Sequence, residues 1–191
     1  MRRITLDIET AAPAVGGSFD PRIMELTVAC IHDTETDSFS AYTKEELPSL
    51  WPILEKADVL IGYNSDHFDI PILNKYYAGD LTRIRSIDLL AEIRNVLGRR
   101  LKLDSIAQAT LGRKKTGNGL DAVKWWQKGE YEKVKSYCIE DVRITKDIYE
   151  YALQNKKLRY TDFGEKRDIP LDTSRWESAG GANALTHTLP F

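Results

Sequence analysis

RITLDIE, Arg3–Glu9, is the stretch that decides how the rest of the chain is read. Ile4, Leu6 and Ile8 alternate with Thr5, Asp7 and Glu9, the period-two pattern of a β-strand. The carboxylates of Asp7 and Glu9 therefore leave the same face, roughly 6–7 Å apart at the backbone. A strand with one solvated face accounts for that pattern taken alone. A first strand that becomes central in an α/β sheet accounts for it differently, because carboxylates at the end of such a strand stand where these folds place ligands.

Working outward, Met24–His32 and Ser38–Thr43 read as strands joined by the polar turn DTETD, an antiparallel hairpin. Lys44–Ala57 reads as a helix with prolines near its start. Asp58–Tyr63, DVLIGY, is a short apolar run of the kind found in buried strands. A helix through Pro71–Tyr77 and a fifth strand at Ile84–Asp88 follow. From there to about Asn155 the pattern is helical, broken at LGRKKTGNG, Leu111–Gly119. A strand meander followed by strands alternating with helices predicts an α/β fold: a mixed five-stranded sheet, first antiparallel and then parallel, covered by helices. Residues 1–155 are expected to form one domain. Residues 156–191 are expected to be an extension, with a hairpin around Gly164 and a loose tail.

The 191 residues suffice for one well-buried core. A formal net charge of −2 gives no electrostatic case for a nucleic-acid partner from the chain as a whole. Basic surface is local, at Arg99–Lys102 and Arg113–Lys115, and such short runs are ordinarily solvated faces. Cys30 and Cys138 lie far apart in apolar patterns, which suits a reducing compartment. The N-terminus enters a strand directly, and no stretch approaches the length of a membrane span. A cytoplasmic monomer without a membrane partner is the expectation.

Two further stretches carry carboxylates. GYNSDHFDIP, Gly62–Pro71, follows an apolar strand, and Asn64 or Asp69 there would cap the next helix. Capping accounts for one of the two and leaves the other. In Glu130–Gln154, an amphipathic helix, Val134, Tyr137, Cys138, Ile144, Thr145, Ile148, Tyr151 and Ala152 share a face, and Asp141 falls among them. Tyr137 stands one turn before Asp141 on the same side. A buried carboxylate is costly unless a neighbour bonds it or a cation, held jointly with Asp7 and Glu9, neutralises it. Oxygen donors without convergent His or Cys indicate Mg²⁺ or Mn²⁺ rather than zinc. Carboxylates around two such ions about 4 Å apart support in-line attack on a phosphodiester, with Tyr137 orienting or deprotonating the attacking water.

Together, Asp7–Glu9, Asn64–Asp69 and Tyr137–Asp141 resemble the three exonuclease motifs of the DEDD superfamily, in order and in context. The third motif resembles the tyrosine kind; the histidine kind places His where Ser136 stands. GYNSDHFDIP is similar to the second motif of family-B DNA polymerase exonuclease domains, and the region from LGRKKTGNG to YCIEDV resembles small stand-alone exonucleases. The likeness covers roughly residues 1–155. It implies a ribonuclease H-like fold and a two-metal 3′-5′ exonuclease acting on single-stranded DNA or RNA with a free 3′ end. It further implies that Asp7, Glu9 and Asp141 hold one Mg²⁺ or Mn²⁺ and that Asp7 bridges to a second. Asp69 would support the second ion through water, and Tyr137 would position the nucleophile. Thr10, Asn64 and Phe68 would contact the substrate. An endonuclease of the same fold and a non-catalytic nucleic-acid-binding module are the competing functions.

Other signals do not develop. DTETD lacks the glycine and glutamate of a calcium loop, where Ser38 and Lys44 stand. GNG at Gly117–Gly119 lacks the strand and Gly-Lys-Ser/Thr ending of a phosphate loop. Of Trp125 and Trp126, one is expected in the core, and His67 is expected at the surface.

Overall fold

In the computed structural model, which describes residues 1–11, 20, 23–113 and 119–178, Arg3–Thr10 forms β1, the middle strand of a five-stranded sheet. On one side β2 (Leu26–Asp33) runs antiparallel to β1, and β3 (Ser38–Thr43) runs antiparallel to β2. On the other side β4 (Val59–Gly62) and β5 (Ser86–Asp88) continue in parallel, giving the order β3-β2-β1-β4-β5. This is the meander followed by parallel strands that the sequence predicts. The expected tail, Lys114, Lys115 and Gly117 lie outside the described residues. Among the described residues no helix is long and apolar enough to cross a membrane.

Both faces of β1 are covered, so Thr5, on its polar face, is buried along with Ile4, Leu6 and Ile8. Ile4, Leu6 and Ile8 pack with Ala29, Ile31 and Leu60 against α1 (Leu47–Leu54) and α2 (Asp69–Leu73). The opposite face lies under α3 (Leu89–Leu97), α4 (Leu103–Leu111), α5 (Gly119–Gln127) and α6 (Tyr131–Asn155). In the β1–β2 register Asp7 sits opposite Cys30 and Glu9 opposite Val28, and both partners belong to the cluster beneath α5 and α6. Cross-strand partners share a face, so the two carboxylates point toward α6.

α2 is shorter than the helix expected over Pro71–Tyr77. It begins at Asp69, which leaves Pro71 in the first turn, where a missing N–H costs nothing. It stops before Asn74, whose side-chain carbonyl accepts from Leu81 N at 2.8 Å and fastens the chain to the turn leading into β5. At its far end α6 is reversed by Lys156, with φ 56°, straight into β6 (Lys157–Asp162), which pairs with β7 (Glu165–Pro170). Leu158, Ile169, Leu171 and Trp176 join Ile144, Ile148, Tyr149 and Ala152 in one core, and Trp176 stacks on Tyr149 at 5.3 Å.

The turn after β4 is built on a close approach. A Cβ added to Gly62 would lie 2.3 Å from both Cβ and Oγ of Ser65, so only glycine fits while Ser65 stays in place. Asn64, two residues on, takes a left-handed φ of 71°. Asp88, at the end of β5, clamps this turn. Its carboxylate accepts from Asn64 N at 2.7 Å and Asp66 N at 3.3 Å, and it also caps α3 through Leu90 N and Ala91 N. Gly62→Ala is expected to lower the unfolding free energy by about 1–3 kcal/mol through overpacking. A urea denaturation midpoint equal to wild type would show that the turn yields freely.

Candidate active site

Asp7 and Glu9 leave β1 toward α6, where Asp141 meets them. One carboxylate oxygen from each lies within 4.8 Å of the other two. Asp141 is only 5% exposed because it sits within the buried face of α6, flanked by Cys138, Val142 and Thr145 on one side and Tyr137 and Ile144 on the other. Asp7 and Glu9 are half-buried. At an effective dielectric of about 20, two full charges at that separation repel by about 3 kcal/mol. Three carboxylates held this way form an oxygen-only donor set that suits a hard divalent cation.

Asp69 stands outside that set and 3% exposed. The β1–β4 ladder ends with the pair Thr5–Ile61, and beyond it the Asp69 carboxylate accepts from Ile8 N at 3.0 Å. Asp69 thus takes a backbone amide of β1 between the two acidic residues of that strand. Neither Asn64 nor Asp69 caps α2: the N-cap position is Phe68, which provides no side-chain cap bond. Burial pushes the Asp69 carboxyl up to about 7, against the pull of the Ile8 amide, and the charges of Asp88 and Asp141 add to the rise.

Tyr137 lies one turn before Asp141 and is buried, its ring edge-on to Trp125 at 6.0 Å. Burial first, then the carboxylates of Asp141, Glu9 and Asp7, hold its phenol well above the usual tyrosine range. Protonated, the hydroxyl acts as a donor within the acidic cluster. Cys138, which periodicity assigns to the core, is fully buried and also donates to Asp7. Its Sγ lies 3.4 Å from the Asp7 carbonyl oxygen and 3.6 Å from Asp7 Oδ2. Burial, followed by the neighbouring Cys30 thiol, raises the Cys138 pKa well above normal, so it remains a thiol. Cys30 is likewise a free, buried cysteine.

Thr10 is buried just past the slip in the β1–β2 register between Glu9 and Thr10, an irregularity of the sort that re-aims side chains beside active sites. The Asn64 side-chain carbonyl accepts from Arg100 Nη2 at 2.5 Å. Phe68 is half-buried against the core under α1 and α2. Trp125 and Trp126 are both partly buried against the α5–α6 core, and His67 is exposed. Arg99 and Arg113 are paired, with Asp162 and Asp147 respectively. The residues that sequence reasoning passed over are Asp88 and Cys138. An Asp directly before a helix signals a cap, but its reach back to the Asn64 turn has no signal in sequence.

Residues 4–153 match the RNase H superfamily. No curated protein matches the chain. Among solved structures, the chain is similar to the family B DNA polymerase from the hyperthermophilic archaeon Pyrobaculum calidifontis, with a TM-score of 0.63 and 20% identity. The similarity covers 80% of this chain and 24% of the polymerase, so the chain spans about a quarter of that protein's length. At that identity the likeness is one of fold. A central strand ending in two carboxylates, faced by a third on a late helix, is thus set in a fold whose sequence match covers most of the chain: the protein belongs to the RNase H superfamily.

Proposed function

We propose that the protein is a Mg²⁺- or Mn²⁺-dependent 3′-5′ exonuclease of the tyrosine type within the DEDD superfamily, removing nucleotides from the 3′ end of single-stranded nucleic acid. The observation that carries this reading is the convergence of the Asp7, Glu9 and Asp141 carboxylates within 4.8 Å, with Tyr137 one turn from Asp141. Its two buried free thiols fit a reducing, cytoplasmic setting, and it acts as a monomer.

Asp7, Glu9 and Asp141 would hold one ion, Asp7 would bridge to a second, and Asp69 would support the second through water. Bound there, the pair of ions would make water nucleophilic at neutral pH and offset the charge that develops on a phosphodiester. Cys138 orients Asp7 from behind, and the Ile8 amide fixes Asp69. Tyr137 remains protonated and aligns the attacking water by hydrogen bonding. Asn64, steadied by Arg100, and Thr10 and Phe68 would face the terminal nucleotides.

Asp7→Ala and Asp141→Ala are each expected to reduce metal-dependent mononucleotide release from a 5′-labelled single strand by roughly 10²–10³-fold or more, while a circular single strand is left intact by the wild type. Full activity in either variant, or cutting of the circle, would exclude this assignment. Tyr137→Phe should slow turnover by about 10²-fold with little change in substrate affinity; an unaltered turnover rate would reduce Tyr137 to a packing residue.

The Asp69 carboxyl gives a pH test. Its folded-state pKa, about 7, lies above the unfolded value of about 3.9, so the folded protein binds the extra proton between them. Stability from this group is therefore present at low pH and lost as pH rises from about 4 to about 7. In chelator, Asp69→Asn should abolish this part of the pH dependence of Tm, and Mn²⁺ at pH 8 should restore wild-type stability. Identical pH profiles for the two proteins would contradict the account.

A further inference from the structure

The tip of the β6–β7 hairpin is made by Phe163 and Gly164, with φ values of 48° and 85°. Two consecutive left-handed residues form the tight hairpin turn that favours Asn-Gly or Asp-Gly, because its twist matches that of the strands. Gly164 suits this geometry. A bulky aromatic side chain at the first position does not. The Phe163 ring is also 97% exposed, the most exposed large hydrophobic among the described residues, so no burial offsets the unfavourable backbone. Neither turn chemistry nor core packing selects phenylalanine here.

The surroundings indicate what the ring meets. Asp162, beside it, is already neutralised by Arg99 at 3.1 Å and Arg167 at 3.0 Å. Arg99 adjoins Arg100, whose guanidinium donates to Asn64 in the turn beside the active site. Arg100 and Arg94, with Asn64 and His67, line a concavity of about 280 Å³ between that turn and α3. Among the described residues neither arginine has a carboxylate partner. Of the two acids lining the same concavity, Asp88 is engaged by four backbone amides and Asp66 is exposed. Arg94 and Arg100 thus line the concavity beside the Asn64 turn, and Arg99, paired with Asp162, stands next to the exposed ring. Arginines along a backbone track and an aromatic for base stacking are the two elements by which proteins hold single strands.

We propose that Phe163 stacks on a base of the single strand several nucleotides upstream of the 3′ end, with Arg94 and Arg100 taking intervening phosphates. The proposal rests on the exonuclease reading for the direction of the strand. It makes the hairpin a substrate-guiding arm.

Phe163→Gly separates this role from a structural one, since glycine suits the left-handed turn and should leave Tm equal or higher. Affinity for 5′-fluorescein oligothymidylate, measured by anisotropy with Ca²⁺ in place of Mg²⁺, should fall about 5- to 100-fold, and Phe163→Trp should retain it. Cleavage of a dinucleotide, too short to reach the hairpin, should be unaffected by either change. Wild-type affinity in Phe163→Gly, or no binding of the strand by the wild type, would overturn the proposal. So would loss of a concentration-dependent self-association in sedimentation velocity with strand binding intact, which would make the tip a protein contact. A wild type that binds the strand through Phe163 but releases no nucleotides would leave this proposal standing and remove the exonuclease reading.

Discussion

Mutual repulsion among carboxylates is the constraint around which this molecule is arranged. Asp7 and Glu9 are fixed by the pleat of a strand, Asp141 by the turn of a helix, and their oxygens converge within 4.8 Å. Packing against both faces of β1 holds the arrangement: the apolar stripe of α6 cannot reach its core without bringing Asp141 to the end of that strand. Hydrophobic burial along the whole helix thus opposes a local electrostatic cost, which binding of a cation would relieve.

Around this centre, unequal strand lengths leave backbone groups to be satisfied. β1 continues to Thr10, whereas β4 ends at Gly62 and turns away. Asp69 takes over the Ile8 amide where the ladder stops, and Asp88 takes amides of the Asn64 turn. Each is a buried carboxylate serving backbone N–H groups, which fixes the loop between them without using sheet pairing. Burial raises the pKa of both, and that of Asp69, about 7, leaves this carboxyl partly protonated at neutral pH.

The central position of β1 was legible because its alternation and its carboxylates sit together in seven residues, and the meander followed from the polar turn between two apolar runs. Asp141 was legible because a helix has a fixed period, so one acid on an apolar stripe stands out. Interactions that join distant segments left no such trace. The bond from Asp69 to Ile8 spans 61 residues and that from Cys138 to Asp7 spans 131, and in each case the local sequence offers a simpler role, a cap or a core thiol. The end of α2 leaves no local trace for the same reason: Asn74 bonds to Leu81, and no breaker stands in the sequence there.

α6 carries Tyr137 and Asp141 in its first half and packs against the hairpin with its second, and no loop separates the helix from β6. From Asp141 to the reversal at Lys156 the axis advances roughly 22 Å in about four turns. The azimuth of the hairpin about that axis is therefore locked to the azimuth of Asp141. One residue inserted between them would swing the hairpin by about 100°, while a change of seven would nearly restore its phase. The length of this helix is thus quantised by rotation rather than limited by reach.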